Sequence, residues 1–396
     1  MIRVGFWFDY GLVYAGGLNY FRNLLHAIHI SQQRDVKTIL FIGKDLPAAL
    51  EHEFAQVTDV VKLDLLTRGT AAWLVHRSLY RSIRSQIMVE CILKKHRIDI
   101  LSHASMVGRL KGAIKLVSWI PDLQYLHLPH LFPGQDGDKR SADIRALHER
   151  SDAIIVSSQE ALRDFASVVR QPMPHKTHVL PFVSQTRAHD PAMNPQDVLD
   201  KFDLPQRYFL LPNQFWAHKN HMAAFEAVAL LKRQGVEVTL VCTGWMKDPW
   251  IPSATPDAVT FVERAALTRN VRLLGSIDYP EVLCLMRGSI AVLNPSFFEG
   301  WSSSVEEAKS MGKAVIISDI PVHREQDHPR AHYFNPRDAA ALADVMKAAW
   351  ETWPAGVHEE SETMALESLK RRTAEFGRRY IEIVREVATL AERAAS

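Results

Sequence analysis

Cysteine is scarce. Three residues in 396, Cys91, Cys242 and Cys284, stand alone in apolar runs. That excludes a disulfide framework and a thiolate metal knot, and reads as small core residues in a reducing compartment. No apolar run approaches the roughly 20 residues that cross a bilayer. The chain opens directly on a predicted strand, Arg3 to Phe8, with no leader-like segment, so the expected location is cytoplasmic. A formal net charge of +2 argues against a dedicated nucleic-acid binder. No short repeat or low-complexity tract appears. No His, Cys, Asp or Glu cluster has metal-ligand spacing. The D-x-D at Asp136-Gly137-Asp138 reads as turn chemistry in a polar loop. No metal and no resident cofactor are therefore expected.

The charge is unevenly divided. Residues 1–183 carry 23 Lys and Arg against 17 Asp and Glu, and residues 184–396 carry 24 against 28. A basic first half suits an anionic surface or acceptor. Residues 68–97 hold seven Lys and Arg and a single acid, Glu90. Arg77, Arg81 and Arg84 follow helical spacing, with Trp73, Leu74, Leu79, Tyr80, Ile83 and Ile87 interleaved. Such a helix either packs on the core with a solvated basic face or makes peripheral contact with an anionic membrane. The first reading has the edge.

Strand-like apolar runs alternate with helical patterns through both halves, the signature of parallel βαβ units. The first series runs VGFWF, KTILFI, VVKLDLL, IDIL, AIKLVSWI, AIIVSS. The second runs RYFLLP, VEVTLVCTG, VRLLG, IAVLNPS, AVIIS. Between them SQTRAHDPAMNPQDVLDKFDLPQ is polar and contains proline. The expected architecture is α/β, with two Rossmann-like doubly wound domains. They span residues 1–184 and 207–359, with a linker over 185–206. A long charged helix over 360–396 would cross back to the first domain.

The run FFEGWSSSVEEAKSMGKAVIIS says most about chemistry. A strand from Ile290 to Pro295 leads through a short loop into a helix opening at the serines. Glu299 lies at the strand's C-terminal end, where open α/β sheets bind ligands. The amides of Gly300, Trp301, Ser302, Ser303 and Ser304 have no helical partners and face the positive end of the helix dipole, which suits a phosphate. Glu299 and Glu307 flank them as acceptors for hydroxyl groups. The structural alternative is a capping box, Ser303 to Glu306 or Ser304 to Glu307, closed by Gly312 as an αL cap. Glu307 can serve both roles, whereas Glu299 precedes the helix and has no capping role.

Other segments fit the same picture. Gly16-Gly17 follows the first strand and opens a helix, allowing close backbone approach to a ligand. It is not the full dinucleotide fingerprint, which argues against NAD. In LLPNQFWAHKNH, Lys219 stands at a helix start, a place lysine avoids unless an anion compensates it. Asn213 and Gln214 offer amide donors in the same loop. Strands ending at Gly244-Trp245 and near Tyr279 could hold a base. WIPDLQYLHLPHLFP is too polar for a core segment and supplies Asp122, His127 and His130 as candidate cleft groups.

Together these motifs resemble the retaining glycosyltransferases of family 4, which have the two-domain GT-B fold. The resemblance covers the whole chain and is most specific over residues 207–326. There E-x7-E at Glu299 and Glu307 stands with G-W-S after the first Glu and E-A-x-x-x-G-K-A-V after it. The resemblance implies that Glu299 contacts the donor sugar and Glu307 the ribose hydroxyls. It implies that Lys219 and the 300–304 amides hold the diphosphate. It also implies transfer with retention from a nucleotide-sugar co-substrate, with no essential metal. Lys219, Glu299, Asp122 and His127 are then the catalytic candidates. Gly16, Gly17, Asn213, Gln214, Gly244 and the 299–304 and Glu307 positions are the donor-binding ones. Many members carry Arg where this chain has Gln214, and His-Asp where it has Pro121-Asp122. A bacterial polysaccharide subgroup shares both departures. By that analogy the donor is GDP-mannose and the acceptor a glycan or lipid-linked glycan of surface polysaccharide or lipopolysaccharide O-antigen synthesis. A sugar-nucleotide epimerase and a non-catalytic scaffold or partner subunit are the competing readings.

Overall fold

The computed structural model describes residues 1–8, 15–83, 86–104, 110, 113–132, 136–169, 174–186, 194–248, 251 and 254–393. The chain divides into two compact units. The first comprises residues 1–123, 138–183 and 371–396. The second comprises residues 124–137 and 184–370.

The first unit is built on a seven-stranded parallel sheet in the order β3-β2-β1-β4-β5-β6-β7. Its strands are β1 (Ile2–Trp7), β2 (Val36–Gly43), β3 (Asp59–Leu63), β4 (Ile100–Ser102), β5 (Lys115–Ile120), β6 (Ala153–Val156) and β7 (Thr177–Val179). One face packs Trp7, Ile39, Phe41, Leu101 and Leu116 against Val89 and Leu93 of the Ile87–Lys95 helix. Gly16 and Gly17 fall in the first turn of the Ala15–Ile30 helix, with Gly16 exposed and Gly17 buried. The end of the 35-residue helix Glu359–Arg393 also belongs to this unit. There the Tyr380 hydroxyl donates to Ser102 Oγ (2.8 Å), and a β-carbon on Gly377 would stand 2.1 Å from the Ala27 carbonyl oxygen.

The second unit has six parallel strands in the order β10-β9-β8-β11-β12-β13. They are β8 (Phe209–Leu211), β9 (Leu240–Thr243), β10 (Val271–Gly275), β11 (Val292–Asn294), β12 (Val315–Ser318) and β13 (Ala331–Phe334). Strand side chains alternate between two buried faces, as a sheet covered by helices on both sides requires. Phe209, Leu211, Leu240, Leu293 and Ile316 pack against the His221–Arg233 and Ala339–Thr352 helices. Leu210, Val241, Val292, Val315 and Ile317 pack on the other face with Val305 and Ala308 of the Ser303–Ser310 helix.

Several sequence expectations are corrected. The segment read as a linker contains the helix Pro195–Lys201, whose Val198 and Leu199 are buried in the second unit's core. The strands β7 and β13, both short, were missed. Asp136 and Asp138 open the Asp136–Arg150 helix instead of sitting in a turn. The basic stretch forms two helices, Ala71–Ile83 and Ile87–Lys95, and Arg84 lies outside the described residues. Cys91 is exposed, so the core reading fails for it, while Cys242 is buried and Cys284 half-buried. The WIPDLQYLHLPHLFP segment is not uniformly polar in its packing, because Leu128 and Leu131 are buried against Phe298. Among the described residues no helix is long and apolar enough to cross a membrane.

Candidate functional site

In the second unit, β8 and β11 lie side by side at the centre of the sheet, with β9 and β10 beyond one and β12 and β13 beyond the other. The order of connection reverses between them, so the loops leaving their C-terminal ends diverge and open a crevice. Lys219 leaves β8 and Glu299 leaves β11.

These two side chains meet. Lys219 Nζ donates to both Glu299 oxygens, at 2.7 and 2.8 Å. Both are well shielded, with side-chain exposures of 14% and 6%. Burial pushes the Glu299 carboxyl up, but the Lys219 ammonium beside it reverses this and holds it down to about 2. Burial, with Lys219 nearby, pushes the His218 imidazole down to about 3, so it is neutral at pH 7. The sequence reading put both residues at one site but did not foresee their pairing across 80 positions.

A polar net fixes Glu299 from below. Ser296 Oγ lies 2.7 Å from Glu299 Oε1 and 2.5 Å from Asn294 Oδ1. Asn294 Nδ2 donates to Ser302 Oγ (2.8 Å) and, at longer range, to Ser304 Oγ (3.2 Å) and Glu299 Oε1 (3.4 Å). Asn294 and Ser296 were missed, although an Asn ending an otherwise apolar buried strand was a readable signal. Asn220 fixes the other loop. It takes φ 55°, and its amide nitrogen donates to the Pro295 and Pro336 carbonyls (3.0 and 2.9 Å). The Phe297 amide donates to the His218 carbonyl at 2.8 Å, tying the two loops together again.

The Ser303–Ser310 helix is not closed by a capping box. Ser302 is its N-cap and makes no side-chain cap bond. Its amide donates to Gln326 Oε1 (3.2 Å), so this N–H is already engaged. Gly312 ends the helix at φ 66°, and a β-carbon there would stand 2.3 Å from the Ser361 carbonyl oxygen. Ser304 is buried and its hydroxyl donates to Asn213 Oδ1 (3.3 Å), while Gly300, Trp301 and Ser303 are half-buried.

Glu307 does not cap the helix either. Its Oε1 accepts from the Tyr279 hydroxyl at 2.9 Å. Burial raises its carboxyl to about 7, and the Tyr279 bond opposes that rise. The capping reading of Glu307 is therefore corrected: the side chain turns toward Tyr279, the first residue of the helix that follows β10.

Among the buried polar atoms without a partner are Asn213 Nδ2, a donor, and His323 Nε2, an acceptor because Nδ1 donates to the Ser318 carbonyl. Unpaired buried polar atoms are rare, and each asks for an explanation. His323, fully buried with Nδ1 2.9 Å from the Ser318 carbonyl oxygen, was not singled out from the sequence. Gln214 has a scaffold role, since its Oε1 accepts from the Trp245 amide (2.6 Å). Gly244 is required by its backbone: at φ 128° a β-carbon would fall 2.4 Å from the Asn213 carbonyl oxygen.

The remaining candidates divide between the units. His127 is exposed, and its ring lies 4.9 Å from that of Phe298, the residue before Glu299. His130 is exposed in the turn Pro129–Leu131. Asp122, Gly16 and Gly17 belong to the first unit, where Asp122 is exposed.

Residues 206–352 match the family model described as glycosyl transferases group 1. The O-antigen chain mannosyltransferase RfbU of Salmonella typhimurium is 26% identical over 159 residues. That match covers 39% of this chain and 42% of the relative's length. Among solved structures, Anabaena Alr3699/HepE in complex with UDP and glucose superposes with a TM-score of 0.65 at 15% identity, covering 100% of both chains. A glycosyltransferase from Rickettsia africae also gives 0.65, at 14% identity over 98% of each chain. WaaG, a glycosyltransferase involved in lipopolysaccharide biosynthesis, gives 0.58 at 14% identity, covering 100% of this chain and 98% of its own. The fold is GT-B, and the chain resembles bacterial polysaccharide and lipopolysaccharide glycosyltransferases, with a group 1 domain over residues 206–352.

Proposed function

We propose that this protein is a retaining glycosyltransferase. It moves a hexosyl group from a nucleotide sugar to a glycan or lipid-linked glycan in bacterial surface polysaccharide synthesis. The observation that carries the reading is the Lys219–Glu299 pair at the point where the strand order reverses, with Asn213 and the Ser303–Ser310 helix start beside it. An ammonium, an unpartnered amide donor and a helix N-terminus suit a diphosphate. Glu299 and Glu307 on either side suit the hydroxyls of a sugar and a ribose. The UDP complex of Alr3699/HepE supports a nucleoside diphosphate as ligand. The likeness to an O-antigen chain mannosyltransferase makes mannose the favoured sugar and GDP-mannose the favoured donor.

The mechanism follows from the charges. As the bond between the anomeric carbon and the β-phosphate oxygen breaks, negative charge gathers on the phosphate. Lys219 exchanges part of its contact with Glu299 for that oxygen. One good donor of this kind is worth about 3 kcal/mol of barrier. The acceptor oxygen attacks the same face and passes its proton to the leaving phosphate, so no strong protein base is needed. Glu299 holds the sugar hydroxyls, and His127 and Asp122 orient the acceptor. No metal or further cofactor enters the scheme. The protein works in the cytoplasm, and any contact with the anionic inner face of the membrane falls to the basic faces of the Ala71–Ile83 and Ile87–Lys95 helices.

The test is a transfer assay with GDP-mannose, UDP-glucose and a dTDP-hexose against bacterial glycan and lipid-linked glycan extracts, followed by NMR of the anomeric proton. The expected product keeps the donor's anomeric configuration. An inverted product overturns retention, and an altered donor sugar with no acceptor used identifies an epimerase instead.

A further inference from the structure

The Tyr279–Glu307 contact joins two elements that the donor-site reading treats separately. Tyr279 is the first residue of the Tyr279–Gly288 helix, which begins just after β10. Glu307 lies in the second turn of the Ser303–Ser310 helix, after β11. The Tyr279 ring packs on the core cluster that contains Val305 and Ala308, the neighbours of Glu307 on its own helix. The ring is therefore fixed by apolar contacts, and its hydroxyl is delivered to Oε1 at 2.9 Å. Among the described residues Oε2 has no hydrogen-bond partner.

We propose that Tyr279 is a positioning residue for the ribose of the donor nucleotide. It clamps one oxygen of Glu307 so that the other is presented to the vicinal hydroxyls. This rests on the reading of Glu307 as the ribose acceptor and adds the residue that orients it. A buried carboxylate with free rotation would have to be ordered each time a nucleotide binds. A fixed donor on Oε1 does that in advance, and preordering of this kind appears as affinity. The Tyr279 hydroxyl also favours the ionised form of Glu307 against burial, and the ionised form accepts from both hydroxyls instead of donating to one.

The experiment is calorimetric titration of the full chain with UDP, GDP and their 2′-deoxy counterparts. Four proteins are compared: wild type, Tyr279→Phe, Glu307→Gln and the double variant. Tyr279 is half-buried and Phe keeps its ring, so Y279F retains the fold, which a thermal midpoint near the wild-type value verifies. The wild type is expected to bind its ribonucleotide about tenfold more tightly than the deoxy form, the scale of one charge-assisted hydrogen bond. Y279F loses most of that preference with its deoxynucleotide affinity unchanged. The double variant loses no more than E307Q alone. If E307Q loses the preference while Y279F keeps it, Tyr279 is no clamp and this inference falls alone. If E307Q itself keeps the preference, the ribose role of Glu307 falls and takes the inference with it.

Discussion

Lys219 and Glu299 are each other's counter-ion in a shielded place, and this changes what a single substitution does. Removing Lys219 leaves a buried carboxylate without compensation, and breaking such a pair costs about 3–5 kcal/mol. The pairing predicts that Lys219→Ala loses stability as well as turnover. Lys219→Met combined with Glu299→Gln removes both charges and should recover most of the stability while turnover stays low. Chemical denaturation beside the transfer assay separates the two effects. A single Lys219→Ala variant of wild-type stability would refute the pairing. Glu307 behaves in the opposite sense. Its folded carboxyl is raised to about 7 from an ordinary 4.5, so the folded state holds the proton longer than the unfolded one. Its contribution is therefore lost as pH rises from 4.5 through 7, and the loss is complete above that. Glu307→Gln should leave stability at pH 5 nearly unchanged and raise it at pH 8, by at most about 3 kcal/mol. Equal denaturation midpoints for the two proteins at pH 8 would contradict the assignment.

At the scale of elements, alternating apolar runs and turn residues were legible. The C-terminal ends of β8 and β11 could be located, and with them Lys219, Glu299 and Glu307. Contacts between segments were not. Nothing in the local pattern at Tyr279 or Asn294 reports that one reaches Glu307 and the other Ser302, because register between elements is a property of packing. The capping boxes failed because the helix is capped one residue earlier, at Ser302, which puts Val305 at the third position, and Gln326, brought in from beyond β12, takes the Ser302 amide. The Pro195–Lys201 helix was hidden because seven residues show too little periodicity to stand out from polar surroundings. The Glu359–Arg393 helix was legible and its return to the first domain was expected, but the contacts that hold it there were not. Its Phe376, Tyr380, Ile383 and Val384 are buried, and Arg385 pairs with Asp35 at 2.8 Å. Ending the chain at Lys370 should abolish the cooperative unfolding of the first unit, read by amide exchange on β1 and β4, while the second unit keeps its own transition. Unchanged protection of β1 in the shortened chain would show that the helix is dispensable.

At the scale of the whole molecule, the central claim is that the second unit's crevice is built for a nucleoside diphosphate. The Lys219–Glu299 pair, the unpartnered Asn213 amide and the Tyr279-held Glu307 converge on that class of ligand. The most direct measurement is the thermal midpoint of the full chain with GDP, UDP and dTDP in turn. A nucleotide at one hundred times its Kd stabilises by about 2.7 kcal/mol. The account predicts that one of the three, with GDP favoured, raises the midpoint by several degrees, and that Glu307→Gln removes about half of that rise. No shift with any of the three at millimolar concentration would contradict it.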